Sequence, residues 1–139
     1  MIHVVFSTKE RRKSIAEEFQ PKLWSYAVGV CKKDGIFVHA IGGTEDHVHL
    51  LVQLPAALSL AKAVMAIKAN CSRWANLETQ KLEWQEGYAA FSVSASLVPT
   101  VHRYIENQKE HHRKMSFDDE FLALLRNHGV QFDAKYVLG

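Results

Sequence analysis

Residues 47–54 read His-Val-His-Leu-Leu-Val-Gln-Leu and stop at Pro55. In a strand, successive side chains point to opposite faces. Val48, Leu50, Val52 and Leu54 therefore share an apolar face suited to packing under helices. His47 and His49 share the other face, aimed away from that core. Pro55 ends the strand, because it has no N–H for a ladder bond. Two imidazoles two residues apart on one sheet face can chelate a divalent ion. The spacing alone also fits two surface histidines on a half-exposed strand. Asp46, just before the pair, reads as a turn residue that could also orient an imidazole.

The segments around this strand supply the rest of a sheet and its helices. Ile2–Ser7 reads as a strand, rich in β-branched and aromatic residues. A charged loop, Lys9 to Lys13, follows. Ser14-Ile15-Ala16-Glu17 has the spacing of a capping box, which predicts a helical turn starting there. Pro21 opens the main helix, which runs to Lys33, and Asp34-Gly35 ends it. Ile36–Ile41 is a second strand. Gly42 to Asp46 reads as a turn, which makes this strand and the histidine strand a hairpin. Ser59–Asn76 is a long helix whose Leu60, Val64, Ile67, Cys71 and Trp74 mark one apolar face. A fourth strand falls between Glu83 and Val93. A third helix spans Leu97 to Lys114, with Pro99 in its first turn. Ser116 and Asp119 suit the N-cap and N3 positions of a last helix ending at Gly129, followed by a tail. The expected fold is α+β: a ferredoxin-like (RRM-like) β-α-β-β-α-β unit with an antiparallel sheet, plus a C-terminal helical extension. At 139 residues the chain is expected to form a single domain, 1–139.

Composition narrows function only slightly. The formal net charge is +2, a mild excess that does not by itself argue for nucleic acid. Basic and polar residues do cluster locally: Lys9, Arg11 and Arg12 in the first loop, and Lys62, Lys68, Ser72 and Arg73 on the second helix. These could track a phosphate backbone or form solvated faces. Cys31 and Cys71 are far apart, have no metal-type spacing, and read as reduced, partly buried thiols. No apolar run approaches a membrane span, and the first strand starts without a charged leader. Both points set the expectation of a cytoplasmic chain.

Tyr104 and Gln108 lie one helical turn apart and share a face of the third helix. On spacing alone, they equally suit a half-buried core tyrosine and a solvated glutamine. His111, three residues later, is a conceivable further ligand.

Together these segments resemble the small single-tyrosine HUH transposases, the family of insertion-sequence transposases and their relatives tied to repetitive extragenic palindromes. The resemblance is carried by Asp46-His47-Val48-His49-Leu50-Leu51-Val52 and by Tyr104 to Gln108. It extends to Trp84-Gln85-Glu86-Gly87-Tyr88, Phe91-Ser92-Val93-Ser94, Ile67-Lys68, Ser72-Arg73-Trp74 and Phe6-Ser7-Thr8-Lys9. It covers nearly the whole chain in order. One departure is that the first strand begins almost at Met1, where family members usually carry a few residues before it.

The resemblance implies that Tyr104 is the catalytic nucleophile. It would attack single-stranded DNA, form a 5′-phosphotyrosine link and release a 3′-hydroxyl. His47, His49 and Gln108 would hold Mg²⁺ or Mn²⁺. The DNA partner would be single-stranded and hairpin-containing, with Lys9, Arg11, Arg12, Lys68, Ser72 and Arg73 as contact candidates. The protein would work as a homodimer in which the tyrosine helix can serve the partner's histidines. Alternatives from other classes are a catalytically silent nucleic-acid-binding module and a metal-dependent phosphoesterase. Leu51 stands where a third alternating histidine would be needed for the latter.

Overall fold

The computed structural model describes residues 1–78, 81–111 and 115–127, with only the backbone at 109 and 111. Its sheet has four strands: β1 (Ile2–Ser7), β2 (Phe37–Gly43), β3 (His47–Gln53) and β4 (Ala89–Ser92). Their order is β2-β3-β1-β4, and every neighbouring pair is antiparallel. Helices α1 (Gln20–Lys33) and α2 (Leu60–Leu77) complete the expected ferredoxin-like unit. Three further helices follow: α3 (Val98–Glu106), the short α4 (Gln108–His111) and α5 (Phe117–Asn127).

One sheet face carries Val4, Phe6, Val48, Leu50 and Val52. It packs on Leu23, Ala27 and Cys31 of α1 and on Ala63, Val64, Ile67, Cys71 and Ala75 of α2. Full burial of a side chain such as Leu23 contributes about 1.5–3 kcal/mol. Helix α1 ends as its sequence predicts, in a Schellman motif. Gly35 takes φ +74, Ile36 N–H donates to Cys31 O, and Gly35 N–H donates to Lys32 O. Ser59 caps α2 by accepting from Lys62 N–H.

The other sheet face is covered as well, which departs from the sequence expectation of a half-exposed strand. Ile105 of α3 packs with Ala40, Leu51 and Val93. Phe117 and Leu125 of α5 pack with Val5 and Phe91. The molecule is therefore three layers deep, and every residue of β3 from His47 to Val52 is buried.

Other expectations shift in detail. Gly42 and Gly43 belong to strand β2, opposite His49 and Val48, and the hairpin turn begins only at Thr44. Their lack of a side chain answers crowding. A Cβ on Gly42 would meet Ile105 O at 2.3 Å, and one on Gly43 would meet His47 O at 2.2 Å. The turn placed at Ser14–Glu17 forms as a 3-10 segment over Glu17–Phe19 with no side-chain cap. Ser14 Oγ instead donates to Arg12 O. Strand β4 is shorter than the 83–93 segment: Trp84 and Gln85 still meet the end of β1, through a Thr8–Trp84 bridge and Gln85 N–H donating to Ser7 O, and Gln85 O and Gly87 O then accept from Lys68 Nζ. The third helix breaks at Asn107. It resumes as α4 over Gln108–His111, while 112–114 of its expected span and the tail beyond residue 129 lie outside the described residues. Among the described residues, no helix is long and apolar enough to cross a membrane.

Candidate functional site

The antiparallel pairing of β1 and β3 sets His3 opposite Leu51, Val5 opposite His49, and Ser7 opposite His47. Opposed residues share a face, so His3 and Ser7 join the histidine pair under the outer helices. His47 and His49 are 0% exposed.

The two imidazoles are held differently. His47 Nδ1 lies 2.8 Å from Asp46 Oδ1 and 3.0 Å from Thr44 Oγ1. Asp46 is itself fixed, since its carbonyl accepts from Thr8 N–H and its carboxylate from Thr44 Oγ1. A carboxylate on Nδ1 holds a ring proton there and turns Nε2 toward the site. His47 Nε2 points at Gln108 Oε1, 2.9 Å away. His49 Nε2 lies 2.8 Å from Glu120 Oε1, while its Nδ1 lies 2.8 Å from His3 Nε2.

Helix α3 brings in Tyr104. Its ring meets the His49 ring edge-on, with centroids 5.6 Å apart. Gln108 stays with the tyrosine despite the break at Asn107, because its Nε2 donates to Tyr104 O at 3.2 Å. Burial pushes the Tyr104 phenol far above the ordinary tyrosine range. The Glu120 carboxylate adds to that shift by its charge and by a hydrogen bond to the phenol, and a hydrogen bond to Gln108 opposes it. Tyr104, Gln108 and Glu120 thus meet at one hydroxyl.

The donor set fits a divalent ion. Donor atoms of His47, His49 and Glu120 lie within 4.8 Å of one another. His47 Nε2 lies 3.6 Å from Glu120 Oε1 and 2.9 Å from Gln108 Oε1. Ligands about 2.1 Å from a common ion and at right angles are about 3 Å apart. His47 Nε2 and Gln108 Oε1, hydrogen-bonded to each other here, stand at the spacing that two ligands of a shared cation would have.

Helix α5 forms the roof. Ser116 caps it, accepting from Asp119 N–H. Phe117 stacks on His47 at 4.4 Å between centroids. Arg11 grips this roof from the first loop: Nε donates to Asp118 Oδ1, Nη1 donates to Ser7 Oγ, and the guanidinium lies 5.1 Å from the Phe117 centroid.

His47, His49, Tyr104 and Gln108 therefore converge as expected from the sequence, and Arg11 stands at their edge. The remaining candidates do not join them. Lys9 pairs with Glu83 and Arg12 with Glu10 on the surface. Lys68, Ser72 and Arg73 lie on α2, across the sheet from the histidines. Lys68 and Ser72 line an open groove of about 620 Å³ with Met65, Trp84 and Tyr88. Lys68 is occupied there by two carbonyls, and Arg73 bonds Asn70.

Two site residues escaped the sequence reading. His3 was legible in principle, because it alternates in register with Val5 and Ser7 on a strand expected beside the histidines. Glu120 carried no such signal, being one of three consecutive acids, Asp118, Asp119 and Glu120, in a first helical turn.

Comparison with known proteins gives a family and similar folds. Residues 1–108 match the model of the IS200-like transposase family. Among solved structures, the chain is similar to a candidate transposase from Deinococcus radiodurans R1, with 23% identity and a TM-score of 0.60 over 77% of this chain and 88% of that one. It is also similar in fold to a REP-associated tyrosine transposase bound to a REP hairpin. That match has 16% identity and a TM-score of 0.63 over 80% of this chain and 67% of the other. No match was found among curated proteins.

Proposed function

The chain belongs to the IS200-like transposase family, and from that premise we propose that it cuts and rejoins single-stranded DNA with Tyr104 as nucleophile. The observation that carries this reading is the meeting of the Tyr104 hydroxyl with Gln108 and Glu120 beside the buried His47–His49 pair. Tyr104 Oη would attack a backbone phosphorus and break its bond to the 3′ oxygen. The products are a 5′-phosphotyrosine and a 3′-hydroxyl, with the phenol's proton finally on the 3′ oxygen. The covalent link conserves the phosphodiester energy, so a different 3′-hydroxyl can reverse the step.

His47, His49 and Gln108 would hold the metal, with Glu120 as a fourth donor. A bound divalent cation would stabilise charge on the phosphate and on the departing oxygen. Imidazole donors suit Mn²⁺ better than Mg²⁺, which prefers an all-oxygen shell. Without a cation, Glu120 opposes ionisation of Tyr104, so metal-free protein would be inert. The roof also has to lift before a phosphate reaches the histidines, since Gln108 and Glu120 are each 1% exposed.

The fold neighbour seen with a hairpin supports a hairpin-containing DNA partner. Contact between Tyr104 and His49 of one chain supports attack within a single subunit, and light scattering of the free and DNA-bound protein would test for the homodimer. The whole chain, 1–139, would act as one domain. Burial of every donor supports a second reading, a catalytically silent DNA-binding protein.

One experiment separates the two. Purified protein is incubated with Mn²⁺ and labelled single strands from both flanks of its own gene, beside Tyr104→Phe. A DNA–protein adduct that survives denaturation, and is lost with Tyr104→Phe or chelator while DNA binding persists, supports the transposase. Tight binding with no adduct on either flank supports the silent form.

A further inference from the structure

His49 has a partner unlike that of His47, and the difference has chemical content. Asp46 can only accept a hydrogen bond, so it holds a proton on His47 Nδ1. The partner of His49 Nδ1 is His3 Nε2, at 2.8 Å, and both atoms can either donate or accept. The His3 ring is 3% exposed and stacks on His49 with centroids 5.0 Å apart and planes 30° apart. It is fixed in place, and its Nε2 can meet His49 Nδ1 as donor or as acceptor.

We propose that His3 is a positioning residue for His49, exchanging hydrogen-bond roles with it when a metal occupies the site. This rests on the metal reading given above. As the structure stands, the Glu120 carboxylate lies on His49 Nε2 and can only accept, so His49 carries its proton on Nε2. Its bare Nδ1 then accepts from His3 Nε2–H. A metal ligand needs the Nε2 lone pair, so the proton must leave that atom. With both rings neutral, His49 then carries Nδ1–H and donates to His3 Nε2, and the His3 proton moves to its own Nδ1. Each ring holds one proton before and after. The exchange therefore alters no charge in a buried layer, where an added charge is costly. A fixed carboxylate in place of His3 would oppose the metal-free arrangement, because Nδ1 could not then accept. His3 accommodates both.

The test is ring-nitrogen NMR of the ¹⁵N-histidine-labelled protein with and without Mg²⁺, which is diamagnetic. We expect His49 to change from the Nε2–H to the Nδ1–H tautomer on Mg²⁺ addition, His3 to change from Nε2–H to Nδ1–H, and His47 to keep Nδ1–H while its Nε2 resonance shifts. Mn²⁺ affinity by calorimetry provides the second readout. His3→Gln can both donate and accept at a similar reach and should stay within about 3-fold of wild type. His3→Leu should lose about 10–100-fold, the usual range for removing the partner of a ligating histidine. A shift at His47 with no tautomer change at His49, or equal affinity in His3→Leu, overturns the role of His3. No shift at His47 and no Mn²⁺ heat overturns the metal reading, and this one with it.

Discussion

The Cα of Gly42 faces the carbonyl oxygen of Ile105 so closely that a Cβ on Gly42 would stand 2.3 Å from it. The tyrosine helix thus rests on bare backbone beside His49, which pairs with Gly42 across the hairpin. Gly42→Ala must push α3 outward, because the obstructing atom is backbone and cannot swing aside. We expect a loss of about 1–3 kcal/mol in urea unfolding and a fall of at least 10-fold in adduct formation. Gly29→Ala is the matched control. Its added Cβ meets nothing within 4 Å, and it lies inside α1. It should gain about 0.5–1 kcal/mol and leave cleavage unchanged.

Arg11 and α5 give a second expectation. Arg11→Ala removes the bonds to Asp118 and Ser7 and the contact with Phe117. Amide exchange across Phe117–Asn127 should accelerate at least 10-fold, while α1, on the other side of the sheet, keeps its protection. Uniform acceleration in both helices would show that Arg11 supports the whole fold rather than the roof.

Alkaline pH should expose the buried acids. Burial, with the Asp34 charge adding, pushes the Cys31 thiol up to about 11. Burial, with Cys31 adding, pushes Cys71 up to about 12. Tyr104 is raised too. The unfolded thiols ionise near 9.0, so above that pH the unfolded chain binds fewer protons than the native one. Stability is therefore fully present below about pH 9 and is lost as pH rises through 11 and 12. Urea midpoints measured between pH 7 and 11 should fall only in the upper part of that range. Both thiols should resist alkylation at pH 8 until denaturant is added.

Glu120→Gln removes the carboxylate's charge from beside Tyr104 and leaves the burial. The phenol should then titrate at lower pH than in the wild type, though still above the ordinary tyrosine value near 10. Ultraviolet difference titration of the two proteins checks this. An unchanged titration curve would mean that burial alone sets the phenol.

Legibility in the sequence followed the physics of each element. The order of strands and helices along the chain, α1 with its Gly35 terminus and α2 with its apolar face were readable, because periodicity and capping are local signals. Gly42 and Gly43 were misread as a turn, since glycine marks both turns and close approaches and only tertiary contact distinguishes them. The exposure of the histidine face was also misjudged. The helices that cover it begin more than forty residues downstream, and nothing in the alternation of residues 47–54 records what packs above. Tyr104 and Gln108 were paired by helical spacing. Glu120 could not be, because its partner His49 is 71 positions away and belongs to no shared pattern.

Of the four candidate metal donors, His47 and His49 come from the sheet and Gln108 from the short helix after α3, and all three can serve as neutral donors. Glu120 alone brings a formal negative charge, and it rides on the outermost layer. Any preference of the candidate site for hard over borderline cations would therefore be set from a helix whose described residues lie outside the apolar core under α1 and α2. A change at that one position would alter the charge offered to an ion while leaving that core in place.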